Sequence, residues 1–333
     1  MQRREFLAAP AAALAAPSPL PLIFDTDIGA DVDDAIALAI LARSPEIRLA
    51  AVTTVFQNTR SRAQYASRFL AVLQAADVAC FAGCPLPLAP RPSSQLFRGS
   101  DAKLRQLPLA TETPDDNLSA APPLSPQHAV DFILSATRAP NGPRHILSVG
   151  PQTNLALALL KDPTLADRLD TVTLMGYDFR KGIDPYNVGN DLVAARHLLA
   201  SGIPLRVLPV EIGVDNQMDS EEYERCLQSP CAHMKFLAPS MRRWVEFVRT
   251  RPKNPIPGYL PRPYDSLAAL TITHPHLFQW KRGTIRLEPG DAAFQTRHSF
   301  TEDAAGLHSI VTALDRKKVK ALHMERLLAC QSV

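Results

Sequence analysis

The sequence lacks the features that mark membrane, repeat and nucleic-acid-binding proteins. After the first twenty residues no segment is apolar enough to span a bilayer, and no internal repeat or low-complexity block occurs. The 36 basic residues almost balance the 33 acidic ones, and no dense basic run is present to bind nucleic acid. We therefore expect an ordinary soluble globular protein with neither a membrane nor a nucleic acid as its partner.

Cysteine is also scarce. The chain has five cysteines, an odd number, and Cys80 and Cys84 lie four positions apart without a second pair. This set does not suggest a disulfide framework or a zinc site. We expect buried thiols without a special role.

The first residues, "MQRREFLAAPAAALAAPSPLPL", differ from the rest of the chain. Arg3 and Arg4 precede Phe6 and a small-residue apolar stretch, an order typical of a twin-arginine export signal. We predict that residues 1–20 are such a signal and that residues 21–333 form one domain. The protein would then be periplasmic or secreted, or cytoplasmic if the leader is not functional.

Apolar runs of strand length alternate with helical patterns along most of the chain. These runs are "LPLIFD", "LAAVTTVFQN", "RHILSVG", "TVTLMGYD" and "IPLRVLPVEIG". Continuous apolar strands separated by helices predict an α/β fold with an open, mostly parallel, Rossmann-like sheet that is covered by helices on both faces.

Polar clusters follow four of the predicted strands: "DTDIGADVDD", "FQN", "GPQTN" and "GYD". The carboxyl ends of parallel strands share one edge of such a sheet, where ligands bind. The first cluster contains five aspartates, which would repel one another without a cation. Carboxylates without cysteine or histidine favour calcium or magnesium. A helix N-cap at Asp33 would explain one aspartate and leave four unexplained.

Several motifs in order resemble the calcium-dependent nucleoside hydrolases, the inosine/uridine-preferring family that cleaves the N-glycosidic bond of ribonucleosides to ribose and free base. The motifs are "DTDIGADVDDAIAL", which has two extra residues before the aspartate pair, "AVTTVFQN", "FAGCPLPL", "GPQTNLALAL", "LMGY", "YDSLAALTITHPHLF" and "HSIVTALDRKKVKALHMERL". The resemblance implies a nucleoside substrate, a Ca²⁺ cofactor and a homo-oligomer, either a dimer or a tetramer.

The resemblance also implies the ligands of the calcium ion and the base. Asp27, Asp34 and Asp265 would bind calcium through their side chains. Thr153 would bind it through a carbonyl oxygen, or Gln152 if the alignment slips by one residue. Asp33 would take a proton from the calcium-bound water. Asp31 lies in the extra loop and receives no role.

The implied substrate contacts are Asn58 and Asn187, with three departures from the family pattern. Tyr264 stands where many members have a histidine that protonates the leaving base. Pro185 replaces a glutamate that binds the 5′-hydroxyl, and Asp184 is the candidate substitute. A usual His-Gly element appears as Arg98-Gly99. These departures make a non-standard ribosyl compound an alternative substrate.

Two other functions remain open at this point. "LIFDTDIG" also resembles the start of a haloacid-dehalogenase-type phosphatase, with Asp25 as nucleophile and magnesium as metal. That interpretation leaves Asp33, Asp34 and Asp265 without a purpose. The departures at Pro185 and Tyr264 alternatively allow a non-catalytic protein that binds ribose or a nucleoside.

Overall fold

The computed structural model describes residues 18–29, 31–89, 122–181, 186–251, 254–289 and 296–330. The strands are β1 Leu20–Thr26, β2 Ile47–Thr54, β3 Cys80–Ala82, β4 His145–Ser148, β5 Thr171–Met175, β6 Leu205–Leu208, β7 Phe278–Pro289, β8 Thr296–Glu302 and β9 His308–Leu314. The helices are α1 Asp33–Ala42, α2 Thr59–Val72, α3 Ala129–Arg138, α4 Thr153–Lys161, α5 Leu165–Arg168, α6 Tyr186–Asn190, α7 Leu192–Leu199, α8 Val210–Asp215, α9 Ser220–Gln228, α10 Ala232–Thr250, α11 Tyr264–Thr273 and α12 Arg316–Leu328.

The strands form one sheet in the order β3-β2-β1-β4-β5-β6-β9-β7-β8. In this order, each pair of neighbouring strands between β3 at one edge and β9 is parallel, which confirms the predicted open, mostly parallel sheet. The chain runs outward from β1 to β3 and then returns to place β4 on the other side of β1. The order therefore reverses between β1 and β4, and such a switch point opens a crevice at the carboxyl ends of the strands.

Helices cover both faces of the sheet, as predicted. Leu22 and Phe24 of β1 pack into one hydrophobic core with α1, α2, α10, α11 and α12. Ile23, on the opposite face, packs into a second core with α3, α4, α5 and α7. Alternate residues of a strand point to opposite faces, so the apolar run of β1 has to serve both cores.

Helix α1 is buried along nearly its whole length and packs against α11. Its first turn carries Asp33 and Asp34, and the first turn of α11 carries Asp265. The positive end of a helix dipole favours negative charge within the first turn. Two buried helices thus present carboxylates from their N-terminal ends.

The strands differ from the sequence prediction in two places. The run "IPLRVLPVEIG" is not one strand: β6 stops at Leu208, and Pro209, which has no N–H to donate to the sheet, precedes helix α8. The far edge of the sheet is an antiparallel element that the sequence did not predict, since β7 pairs antiparallel with both β8 and β9.

No described helix is long and apolar enough to cross a membrane.

The prediction that all cysteines are thiols is wrong for two of them. Cys231, just before α10, and Cys330, just after α12, form a disulfide with a Cα–Cα distance of 5.0 Å. Their separation of 99 residues explains why counting cysteines could not pair them. Cys80, Cys84 and Cys226 are buried thiols, as predicted, and burial raises the pKa of each to about 12.

The double substitution Cys231→Ser, Cys330→Ser should lower the free energy of unfolding by about 2–4 kcal/mol, because it removes the constraint on a long loop of the unfolded chain. Denaturant melts of the variant and of the wild type, with and without reductant, measure the difference. Reductant should shift only the wild type. Titration of the unreduced, denatured wild type should find the three thiols of Cys80, Cys84 and Cys226. A count of five would contradict the disulfide.

Candidate active site

Side chains from neighbouring strand ends meet at one edge of the sheet. Asn187 Nδ2 donates to the carbonyl oxygens of Val149, after β4, and Met175, at the end of β5, at 2.6 and 3.1 Å. Asn154 Nδ2 donates to the carbonyl oxygen of Thr54, at the end of β2, at 3.1 Å. These bonds join the segments after β2, β4 and β5 around the end of β1, so the predicted convergence is present.

An acidic cluster lies at this edge. Asp31, Asp33 and Asp34 each offer a carboxylate oxygen within 4.8 Å of the others. Asp27, after β1, and Asp265, in the first turn of α11, are also buried, and their charges act on the same carboxylates. The structure thus brings the predicted Asp27, Asp33, Asp34 and Asp265 together. It adds Asp31, which is half-buried.

Burial and mutual repulsion make the charged state of this acidic cluster costly. The pKa of Asp27 is raised to about 7, because burial raises it more than the charge of Arg62 lowers it, and the charge of Asp31 adds to the increase. The pKa values of Asp33, Asp34 and Asp265 lie well above their usual range, first because of burial and then because of the neighbouring carboxylates. A cation among these groups would favour their charged forms.

The oxygens of the acidic cluster fit a hard cation. All of its members are aspartates, and carboxylate oxygens are what calcium and magnesium prefer. Asp33 Oδ1 and Gln152 Oε1 are buried and have no hydrogen-bond partner among the described residues. Buried polar atoms without a partner are rare in proteins, and a bound ion or water is one explanation for them. The acidic cluster can therefore bind a metal ion.

Asp25 is separate from the acidic cluster in its contacts. It lies inside β1 with no exposed surface, and Thr53 Oγ1 and Asn154 Nδ2 donate to its Oδ1, each at 2.7 Å. Ser148 Oγ donates to its Oδ2 at 3.4 Å. A carboxylate held this way ties β1 to β2 and β4 and is inaccessible to a phosphate ester. The phosphatase interpretation, which needs Asp25 as nucleophile, is therefore not supported.

Thr153 and Gln152 lie at the start of α4, after β4. Thr153 Oγ1 donates to Asp191 Oδ2 at 2.7 Å, so its hydroxyl is occupied by the protein. The backbone carbonyl of Gln152 accepts from Ala156 N at 2.9 Å, while its side-chain Oε1 has no described partner. The ligand role of the Thr153 carbonyl remains a prediction.

The two predicted sugar contacts offer different free groups. Asn58 caps α2, where its Oδ1 accepts from Ser61 N at 3.2 Å, so its Nδ2 is left to donate. Asn187 uses its Nδ2 on two carbonyls, which leaves its Oδ1 to accept. Asp184, Pro185 and Arg98 lie outside the described residues.

Tyr264 lies beside the acidic cluster. Its ring packs on Gly213 of α8, where an added Cβ would lie 2.0 Å from Tyr264 Cδ1. The pKa of Tyr264 is raised to about 12, because burial outweighs the opposite effect of Arg262, whose Nη1 donates to the phenol oxygen at 3.1 Å. The phenol therefore stays protonated at neutral pH and can donate a hydrogen bond.

Sequence reasoning missed several residues of this edge. Arg62 of α2 is 1% exposed and lies beneath the acidic cluster, although in sequence it is one of several basic residues in a helical pattern. Tyr186, which is about half exposed, packs edge to face on Phe56 with ring centroids 6.1 Å apart. No pattern in the sequence distinguishes these side chains from ordinary core or surface residues.

Comparison with known proteins identifies relatives. A model of the inosine-uridine preferring nucleoside hydrolase family matches residues 22–321. An uncharacterized protein of Schizosaccharomyces pombe is 32% identical over 203 residues, which are 58% of this chain and 62% of that protein. Uridine nucleosidase 1 of Arabidopsis thaliana is 26% identical over 275 residues, 80% of this chain and 78% of that protein.

A solved plant nucleoside hydrolase resembles the structure with a TM-score of 0.76 at 22% identity, covering 93% of this chain and 99% of that one. This likeness shows the fold. The family match runs through β1, the strand that leads to the acidic cluster, and through α11, which carries Asp265. The chain belongs to the inosine-uridine preferring nucleoside hydrolase family.

Proposed function

We propose that the protein hydrolyses the N-glycosidic bond of ribonucleosides and releases ribose and a free base. The observation that carries this proposal is the meeting of Asp27, Asp33, Asp34 and Asp265, from two distant parts of the chain, at the carboxyl end of β1. Membership of the family and the relatedness to a uridine nucleosidase support the same reaction. Neither a phosphatase nor a silent binding protein is supported by these comparisons.

We propose calcium as the cofactor, held by Asp27, Asp34, Asp265 and the carbonyl oxygen of Thr153. Calcium accepts six to eight oxygens in a flexible arrangement. The end of β1 and the first turns of α1, α4 and α11 carry the proposed ligands. When bound, calcium would orient the sugar hydroxyls and lower the pKa of water.

Asp33 is proposed as the base. Its Oδ1 is buried without a described partner, so it is free to accept a proton from water. The water oxygen bonds to C1′ of the ribose while Asp33 takes a proton from that water. The C1′–N bond breaks, and its electron pair goes to the departing nucleobase. The surrounding carboxylates stabilise the oxocarbenium-like charge that develops on the sugar.

The remaining residues would position the substrate. Asn58 Nδ2 can donate to a sugar oxygen, and Asn187 Oδ1 can accept from a sugar hydroxyl. Tyr264 can donate to the departing base, since its phenol remains protonated. Asp184 is the candidate for the 5′-hydroxyl.

We also propose that the protein is exported and forms a dimer or tetramer. The leader supports export, and so does the disulfide between Cys231 and Cys330, because disulfides persist in oxidising compartments. The oligomer is proposed from family resemblance.

A panel of ribonucleosides tests the function. The metal-loaded protein should release base from at least one of inosine, uridine, adenosine or cytidine, and a calcium chelator should abolish that release, because the carboxylates would then repel one another. Base release is measured by chromatography, with p-nitrophenyl phosphate as the control substrate. Phosphatase activity without nucleoside hydrolysis would contradict the proposal.

Asp33→Asn should lower kcat for the best nucleoside by about 10²- to 10⁴-fold, because the amide cannot take the proton from water. Calcium affinity, measured by calorimetry, should stay within a few-fold of the wild type. The exposed Asp303, in a turn after β8, offers a matched control, and Asp303→Asn should change neither quantity. A fully active Asp33→Asn enzyme would rule out this base, and parallel loss of calcium binding would make Asp33 a ligand instead.

Asp265→Asn should weaken calcium binding by at least about tenfold, since cation affinity falls as the ligands lose charge. Asp178 is the matched control, because it is a buried aspartate after β5 whose carboxylate accepts from the backbone of Arg180 and Lys181. Asp178→Asn should leave calcium affinity unchanged. Equal calcium affinity in Asp265→Asn and the wild type would remove α11 from the cation site.

A further inference from the structure

We propose that Arg62 is a positioning residue that ties two loops of the active site together. The first loop is residues 27–29, which begin the segment between β1 and the aspartate pair Asp33 and Asp34. The second loop is residues 55–58, which run from β2 to α2. Arg62 lies in the first turns of α2 and is 1% exposed, so its guanidinium is enclosed by the protein.

The guanidinium bonds to both loops at once. Arg62 Nη1 donates to the carbonyl oxygens of Asp27 and of Ile28, the latter at 2.7 Å. Arg62 Nε donates to the carbonyl oxygen of Phe56 at 2.8 Å, and Nη2 to Gln57 Oε1 at 3.4 Å. Three backbone carbonyls from two separate loops therefore depend on one side chain. A burial this complete is tolerated because the donors have partners.

The second loop needs such support because its backbone is strained. Phe56 and Gln57 are consecutive non-glycine residues in the left-handed region, with φ of +68° and +58°. Such conformations persist only where the surroundings hold them. Their N–H groups are held by Cys84 O at 2.8 Å and Pro85 O at 2.7 Å. Arg62 bonds to the same two residues through Phe56 O and Gln57 Oε1.

The charge of Arg62 has a second effect. It attracts the carboxylates of Asp27 and Asp34, and so offsets part of the repulsion in the acidic cluster. A lysine would keep this charge but could not reproduce the planar fork that reaches three carbonyls. Geometry and charge can therefore be separated by substitution.

The two loops carry different parts of the predicted site. The first loop begins with the proposed cation ligand Asp27, and the second ends with the proposed sugar contact Asn58. Arg62 would thus set the position of the cation relative to the sugar without touching either. This functional consequence rests on the proposed function, whereas the tying of the loops does not.

The test compares Arg62→Lys with Arg326→Lys in the full chain. Arg326 is a matched control, since its side chain is 15% exposed and its Nη1 and Nη2 bond to Arg43 O and to the Glu46 carboxylate. These partners lie past the C-terminal end of α1, about 15 Å along the helix from the aspartate pair. If Arg62→Lys is recovered unfolded by circular dichroism, Arg62→Gln is measured in its place.

Two readouts are needed, hydrogen–deuterium exchange of peptides covering residues 22–34 and 51–61, and calcium affinity by calorimetry. Arg62→Lys should speed exchange in both peptides and weaken calcium binding by about 10- to 100-fold, the usual effect of losing a residue that orients ligands. Arg326→Lys should lower the melting temperature without either change.

Unchanged exchange in both peptides would overturn the proposal. Faster exchange with unchanged calcium affinity would also overturn the proposal, because Arg62 would then support the loops without positioning the calcium ligands. If the wild type itself binds no calcium, the proposed cofactor fails, and exchange of the two peptides alone decides whether Arg62 ties the loops.

Discussion

The fold of this protein has to keep at least four buried carboxylates together against their mutual repulsion. Asp27, Asp33, Asp34 and Asp265 are each nearly excluded from water, and burial and the neighbouring charges raise the pKa of every one. The dipoles of α1 and α11 offset part of this cost, and Arg62 offsets another part. The helix dipoles and the single positive charge of Arg62 do not balance the negative charge of the acidic cluster when all of its carboxylates are ionised. A hard divalent cation is the simplest group that would complete the balance.

The sheet explains why the charges meet where they do. The reversal of strand order between β1 and β4 opens the crevice, and the hydrogen bonds of Asp25 and Asn154 fasten β1, β2 and β4 beneath it. Asp25 and Asp27 are alike in sequence and opposite in role, because Asp25 lies within β1 and Asp27 follows its end. A carboxylate inside the sheet is consumed by structural hydrogen bonds. A carboxylate past the strand end remains available for chemistry.

Much of this could be predicted from the sequence. Strands that are buried on both faces form continuous apolar runs, so the parallel sheet and the polar clusters at its edge were visible. Asp33 and Asp34 were visible because they share the ten-residue run 25–34 with Asp27, whereas Asp265 entered only through resemblance to a family. Local patterns could not show the disulfide, which joins cysteines 99 residues apart, or Arg62, whose partners are mostly backbone carbonyls of other loops. Pro209 does mark the end of β6 in the sequence, since a proline inside an apolar run argues against a continuous strand.

We propose that one cation is held jointly by the early aspartates and by Asp265. A crystal structure of the calcium-loaded protein, with anomalous data to locate the ion, tests it most directly. We expect a single calcium ion with carboxylate oxygens of Asp27, Asp34 and Asp265 at about 2.3–2.6 Å. Calcium bound elsewhere, or these three carboxylates turned away from a common ion, would contradict it.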